Sequence, residues 1–346
     1  MDRLFRHAPG VGAFAVFALL PAVLLIAGAA SAGWPLWAGL IWIAGASQAA
    51  DTLIARGFPD AQDQDFPLAD GLSVLLAMAH FVLLATTLIA LNDSALGQPE
   101  KIALFLGAGM FMGQVSNANA HELIHRSRRS LFRLGAAVYV SLLFGHHVSA
   151  HRLVHHVHVA TADDPNSARL GESFWHFFPR AWLGSFRAGL LAERRRSAQS
   201  ARLNPYVWWV GGALACVATV ALIWGLPGLL RYLGLCLYAQ MQLLLSDYVQ
   251  HYGLRRRIRG NRPEPVGPRH SWDAKHPLSS LMMVNAPRHS DHHAHPTRPY
   301  PALRLARQEN PRPILPYSLP VMAAIALIPP LWRQVMDRRV ARMQAA

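Results

Sequence analysis

The stretch KIALFLGAGMFMGQVSNANAHELIHR, residues 101–126, decides how the chain is read. Residues 101–120 are long and apolar enough to cross a hydrocarbon core of ~30 Å as a helix. The run continues without a break into His121-Glu122-Leu123-Ile124-His125. Imidazoles four residues apart lie one turn apart on one helix face, where they can share a metal ion. A helix long enough to span a bilayer and ending in two metal-competent side chains describes a membrane protein with its chemistry at one end of its spans.

The same apolar signature recurs on either side, at 11–30, 35–52, 71–91, 207–225 and 228–247. Composition agrees. Of 346 residues, 52% are hydrophobic and only 15% charged, and mean hydropathy is positive at +0.19. A water-facing surface calls for about a quarter charged residues, so a soluble enzyme and a disordered chain are both excluded. Cys216 and Cys236 lie inside apolar runs, which leaves neither a disulfide framework nor a cysteine metal cluster. The sequence predicts an all-α, polytopic integral membrane protein of about six transmembrane helices, a single domain over 1–346.

Net charge is +14, and arginine supplies every cation except Lys101 and Lys275. A dozen arginines fall between Arg126 and Arg202, and a second group runs from Arg255 to Arg312, whereas 92–100 has no Lys or Arg. The positive-inside rule therefore places segments 121–206 and 248–313 in the cytoplasm. With Arg3 and Arg6 also inside, four spans return residue 121 to that side and two more return residue 251. Two further apolar stretches do not fit as crossings. Residues 132–145 are too few, and 314–332 is interrupted by Pro316, Pro320, Pro329 and Pro330 before Arg333, Arg338, Arg339 and Arg342. The acidic loop Asp51 to Asp70, with only Arg56, gives the rule little to act on. The start, with Arg3, Arg6 and small residues from Ala29 to Gly33, resembles a secretory signal, but its long apolar run favours a retained span.

Eighteen histidines stand out in so apolar a chain. Beyond the first pair they cluster as His151-x-x-x-His155-His156 and His289-x-x-His292-His293. His121-Glu122-x-x-His125 taken alone is the zinc-protease pattern, with Glu122 activating a water. An intramembrane zinc protease takes three protein ligands, however, and these clusters offer eight on one side of the membrane. That number suits two transition-metal ions with open positions, so a histidine-rich di-metal cap on the cytoplasmic side is expected. A metal transporter would instead distribute its histidines along a path through the bilayer. His7, His80, His146, His147, His158, His176, His270, His276 and His295 are assigned ordinary roles, His80 as a hydrogen-bonding group within the bundle.

The neighbouring residues narrow the chemistry. The run Ala120 to Arg126, then Val159-Ala160-Thr161-Ala162-Asp163-Asp164-Pro165, the stretch Arg288 to Arg298 and His251-Tyr252-Gly253-Leu254 resemble the alkane 1-monooxygenase family of the membrane fatty-acid desaturase and hydroxylase superfamily. The resemblance runs from about residue 100 to 302. It implies two iron ions held by nine histidines, matching His121, His125, His151, His155, His156, His251, His289, His292 and His293. His251 enters only through it, because spacing alone reads that residue as a helix cap. Glu122, Asp164, Gln250 and Asp291 stand beside the matched positions as candidates to orient the imidazoles. Departures lie next to ligands rather than at them. Ala150 and Gln250 stand where the family has Glu, Val154 where it has Gly, Asp247 where it has Asn, and Pro287 where it has Gln.

What the resemblance implies is insertion of one oxygen atom from O2 into the terminal C–H bond of a medium- or long-chain n-alkane, giving a 1-alkanol, in the bacterial inner membrane. The chain has no flavin or nucleotide fingerprint, so electrons come from a separate carrier, rubredoxin or ferredoxin, docking on the arginine-rich face that includes Arg255, Arg256 and Arg257. The alternative within the same chemistry is a desaturase or hydroxylase of a fatty acyl, terpenoid or other lipid chain.

Overall fold

A computed structural model describes residues 8–54, 57, 59–60, 66–92, 96–200, 202–305 and 312–345. Arg3, Arg6, His7 and Arg56 lie outside the described residues. The chain begins with helix α1 (Val11–Ser31). α2 starts as Trp34–Ile41, passes through a π turn at Trp42–Ala46 and continues as Ser47–Leu53. α3 covers Ala69–Asn92. α4 is assembled likewise from Gln98–Met110, a π turn Phe111–Ser116 and Asn117–Ile124, so the opening stretch is indeed one helix running to its histidines.

Among the described residues, three α-helices uninterrupted by a π turn are long and apolar enough to cross a membrane, namely α1, α3 and α8 (Tyr206–His251). The expected spans 207–225 and 228–247 are both found in α8, which is broken at Gly225, where φ is 62°. With ψ at −159°, that backbone region costs a residue with a Cβ about 1–3 kcal/mol, and Pro227 two residues on restarts a helix. The two arms fold back on each other, bringing Cys216 beside Tyr232 and Cys236. Each arm is about 30–40 Å long at 1.5 Å per residue. Their outer faces expose Leu214, Leu222, Ile223, Leu226 and Leu230, a surface that hydrocarbon rather than water would solvate.

The stretch 132–145 forms most of α5 (Arg129–Ser141), and at 13 residues this helix reaches only about 20 Å. The stretch 314–332 contributes α11 (Leu319–Ala326) and the start of α12 (Pro329–Ala345), with the proline pair at the break. α12 folds over the end of α8. Trp332 packs on Tyr248 and Tyr252, and the Tyr252 hydroxyl donates to Asp337 Oδ1 at 2.7 Å.

The remaining elements build the cap. α6 comprises His147–Ala150, a π turn His151–His155 and His156–His158. α7 (Phe174–Ser200) is long but rich in arginine, and it lies against α6 and α8. After α8 come a two-stranded ribbon β1–β2 (Ile258–Arg259 with Arg262–Pro263), α9 (Pro277–Met282) and α10 (His289–Ala294). The end of α2 anchors this region. The Asp51 carboxylate accepts from the backbone N–H groups of Leu278 at 2.7 Å and Ser279 at 2.8 Å, satisfying donors at the start of α9 that have no helical partner.

Candidate metal centre

Four elements deliver nine imidazoles to one place. The end of α4 brings His121 and His125, α6 brings His151, His155 and His156, the last residue of α8 is His251, and α10 brings His289, His292 and His293. They sort into two groups, each with its donor atoms within 4.8 Å of one another. One holds His121, His125, His151, His156 and His292, and the other His155, His251, His289 and His293. The groups adjoin, with the His156 and His293 rings 4.6 Å apart.

α-Helical spacing pairs His151 with His155 on one face, but the structure separates them. The π turn carries one more residue per hydrogen-bonded loop than an α-helix does, so His151 Nε2 meets His156 Nε2 at 2.9 Å. His155 is turned to the second group.

Within the first group His121 Nε2 is 2.8 Å from His151 Nε2, and His292 Nε2 is 3.1 Å from His156 Nε2. In the second, His289 Nε2 lies 3.0 Å from His251 Nε2 and 3.1 Å from His293 Nε2. Two imidazole nitrogens bound at right angles to one ion at about 2.0–2.1 Å are ~3 Å apart. A neutral ring has one N–H and one lone pair, so a single nitrogen approached by two others is poorly served by hydrogen bonds alone. His125 Nε2 and His155 Nε2 are buried with no protein partner. The donor set therefore fits two cations with nitrogen-preferring coordination.

Protonation favours the same use. Burial first, and neighbouring imidazoles second, hold His151, His289, His292 and His293 well below the usual histidine range. These rings are neutral at pH 7, with lone pairs available. His155 differs. Burial opposes its charge, but the Asp164 carboxylate overcomes this and raises it. Asp164 is buried as well, yet it is held below the carboxylate range by His155 and by the Ser167 hydroxyl.

Of the four residues expected beside the ligands, Asp164 touches a ring. Its Oδ2 is 2.9 Å from His155 Nδ1 and accepts from Ser167 Oγ at 2.6 Å, and its Oδ1 accepts from Asn166 N at 3.0 Å. Glu122 is engaged by the Arg126 guanidinium and by Tyr300 N at 3.0 Å, which ties α4 to the segment after α10. Gln250 donates to Ala286 O at 3.1 Å, and Asp291 gathers Arg298, Arg304 N and His295. These three brace backbone around the site.

Other supports carried no signal in the sequence. Asp273 accepts from the N–H of Ser290 at 2.8 Å and from its hydroxyl, fixing the first turn of α10, and burial pushes this carboxyl up to about 7. Asn166 donates to Asp247 at 2.6 Å, linking the Asp164 turn to α8. The His251 Nδ1 atom faces the His270 carbonyl at 3.4 Å, and His270 pairs with Glu264 at 3.1 Å. His80 lies 2.9 Å from Ser141 Oγ within the bundle, as expected. His146, His158, His176, His270, His276 and His295 belong to neither group. His147 lines the adjoining cavity, one turn before His151, and the i, i+4 spacing to His151 could have marked it.

That cavity, of about 190 Å³, has His121, His147, His151 and His289 at one end. It runs between α4, the second arm of α8 and α11 to Met110 and Tyr238. Thirteen residues separate Tyr238 from His251 on α8, about 20 Å of helix. The walls are mostly apolar, but Gln114, Asn117, Gln242 and Ser246 form a polar band across them. Gln114 donates to Gln242 Oε1 at 3.1 Å, Gln242 to Gly109 O at 3.0 Å, and Asn117 to Gly113 O at 3.1 Å. Gly109 and Gly113 belong to the last turn before the π turn of α4 and to that turn itself, where regular helix bonding is interrupted.

Comparison with known proteins agrees with this geometry. The profile of the fatty acid desaturase family matches residues 101–325. Alkane 1-monooxygenase 2 of Alcanivorax borkumensis is 35% identical over 72% of this chain and 66% of its own length, so the chain spans just under two thirds of that relative. Alkane 1-monooxygenase 1 of Pseudomonas aeruginosa is 33% identical over 82% of this chain and 76% of its own. The xylene/toluene monooxygenase hydroxylase component XylM of Pseudomonas putida is more distant, at 28% over 68% and 64%.

Proposed function

The chain belongs to the fatty acid desaturase family, among its alkane 1-monooxygenases, and from that premise we propose that it is a membrane-bound di-iron alkane hydroxylase. It inserts one atom of O2 into the terminal C–H bond of an n-alkane to give a 1-alkanol, and the second atom leaves as water with two electrons and two protons. The observation that carries this reading is the convergence of nine imidazoles, in groups of five and four, on one end of a largely apolar cavity.

The nine histidines would hold two iron ions, which supply the oxygen chemistry. The chain's own residues do the rest. Met110, Tyr238, Met241 and Leu243 wall a slot in which shape alone positions a molecule with no polar handle. The same walls exclude water near the rings. Asp164 holds the His155 tautomer by accepting from Nδ1, leaving Nε2 for the ion. Glu122, paired with Arg126 and Tyr300 N, is already engaged, which counts against the protease role.

Six crossings, with the histidine cap on the cytoplasmic face of a bacterial inner membrane, follow from the arginine distribution. The electron donor in this reading is rubredoxin or ferredoxin, drawn to the ribbon β1–β2, where Arg255, Arg257 and Arg259 are exposed beside the His270 loop that contacts His251. A second reading, oxygenation of a lipid chain bearing a polar group, is favoured by the band of Gln114, Gln242 and Ser246 in the slot.

The test is expression with a rubredoxin and its reductase in a host lacking alkane oxidation, fed n-alkanes under labelled oxygen. Labelled 1-alkanol that is lost in His292→Ala supports the proposal. Two irons without alkanol, but with labelled product from a hydroxylated lipid chain, supports the second reading. Zinc in place of iron rules out both.

A further inference from the structure

A second cavity, of about 1000 Å³, lies outside the metal centre, between α5, α6, α7 and the start of α8. Its rim carries Arg133, Arg152, Arg196 and Arg202, and one carboxylate, Glu193, faces it. Glu193 is buried and accepts from Ser149 Oγ at 2.8 Å, and its other oxygen pairs with Arg196 at 3.9 Å. Ser149 in turn accepts from Trp209 Nε1 at 3.0 Å. The Arg152 guanidinium stacks over the Phe132 ring at 5.0 Å. Four guanidinium groups and a single carboxylate leave this rim with an excess of positive charge that an anion would offset.

The floor is apolar. Ala136, Val140, Val148 and Leu153 line it, and it opens onto the first turns of α8, where Trp208 is 64% exposed and Leu214 62%. Tryptophan at the end of a spanning helix sits at headgroup depth, and arginines beside it face lipid phosphates. The cavity therefore has a cationic mouth, an aromatic collar and an apolar exit along a membrane helix. Those are the three parts of an anionic amphiphile in the order in which a bilayer presents them.

We propose that this groove binds one anionic phospholipid, its phosphate among Arg133, Arg196 and Arg202 and its acyl chain passing Trp208 onto the outer face of α8. The bound lipid would lie on the back of α6. Ser149, Arg152 and Leu153 face the groove, while His151 and His155 face the metal site.

The experiment uses the full chain released from bilayers of equal phosphatidylglycerol and phosphatidylcholine, with retained lipids counted by native mass spectrometry. Phosphatidylglycerol should be retained roughly tenfold over phosphatidylcholine. Arg133→Gln with Arg196→Gln should abolish that preference while iron content and thermal midpoint in detergent stay unchanged. If that pair fails to fold, Arg202→Gln alone should weaken the preference. Equal retention of the two lipids, or a preference unaltered in a folded variant, overturns the proposal. So does displacement of phosphatidylglycerol by inorganic phosphate alone, which would make this a free-anion site.

Discussion

Replacing Asp164 with Asn should empty one half of the metal centre and spare the other. The side chain keeps its size, but the group facing His155 and Ser167 changes. Asp164 Oδ2 is 2.9 Å from His155 Nδ1 and accepts from Ser167 Oγ at 2.6 Å. An amide nitrogen there sets donor against donor, and flipping the amide transfers the conflict to Asn166 N, now 3.0 Å from Oδ1. His155 then loses the partner that fixes its tautomer. Removal of such a partner weakens metal binding by about 10–100-fold. His155 belongs to the group with His251, His289 and His293, whereas the five-histidine group has no contact with Asp164 among the bonds described. Iron per chain, measured after timed exposure to a chelator, should fall from two towards one in Asp164→Asn. It should stay at two in Asp291→Asn, whose carboxylate braces a loop. In iron-free protein the stability gap between wild type and variant has a defined sign. A carboxyl held below its unfolded value contributes stability above about pH 4 that is lost as pH falls through its folded value. The gap should therefore persist near neutrality and close in acid. Equal chelator release from wild type and Asp164→Asn would refute the assignment of Asp164 as the group that orients His155.

Acid should strip the centre and loosen the cap together. His151, His289, His292 and His293 sit well below their unfolded value of about 6.5, so the unfolded chain takes up more protons below that pH, and stability and iron retention should both decline as pH falls beneath it. A pH series of iron content and thermal midpoint checks this, and flat curves to pH 5 would contradict it. Gly225→Ala should destabilise by about 1–3 kcal/mol, because φ of 62° with ψ of −159° strains a residue that carries a Cβ, seen as a lower thermal midpoint with full iron content. Arg257→Glu with Arg259→Glu should lower kcat/KM for a rubredoxin donor and flatten its salt dependence, leaving iron content unchanged, and undiminished turnover would place donor docking elsewhere. His80→Leu removes a bond to Ser141 and no metal donor, so it should cost about 1 kcal/mol of stability and no iron.

Much of the architecture was legible because hydropathy and helix period are local properties. Residues 101–126 read directly as α4 with its two histidines, and the short 132–145 and proline-broken 314–332 stretches read as poor crossings. What stayed hidden depends on backbone detail or on distant partners. Nothing in hydropathy shows that α2 and α4 are continued through π turns, or that the amides of Gln114, Gln242 and Asn117 cluster at one of them. His251 is the last residue of an apolar helix, where spacing alone reads a cap; the family resemblance singles it out, and its approach to His289 shows which group it joins. Asp273 and Ser290 lie seventeen residues apart in sequence, with no pattern to join them. The division into five and four was obscured by the π turn in α6, because the period that found the cluster is not the period the chain adopts there.

That turn also bears on how such a centre could change over generations. A π turn differs from an α turn by a single added residue, so the assignment of donors from α6 depends on one codon. Substitutions of the residues between the histidines of α6 can adjust how firmly the rings are held, but they leave each ring pointing where it did. Loss of one residue between His151 and His156 would restore the α period, keep His156 on the face of His151, now four positions on, and turn the ring now at 155 relative to its three companions. How the donors are divided between the two groups is thus open to insertion and deletion in a way that substitution of the intervening residues leaves untouched. Related chains that differ in length across this segment are where a different division of the donors would be sought.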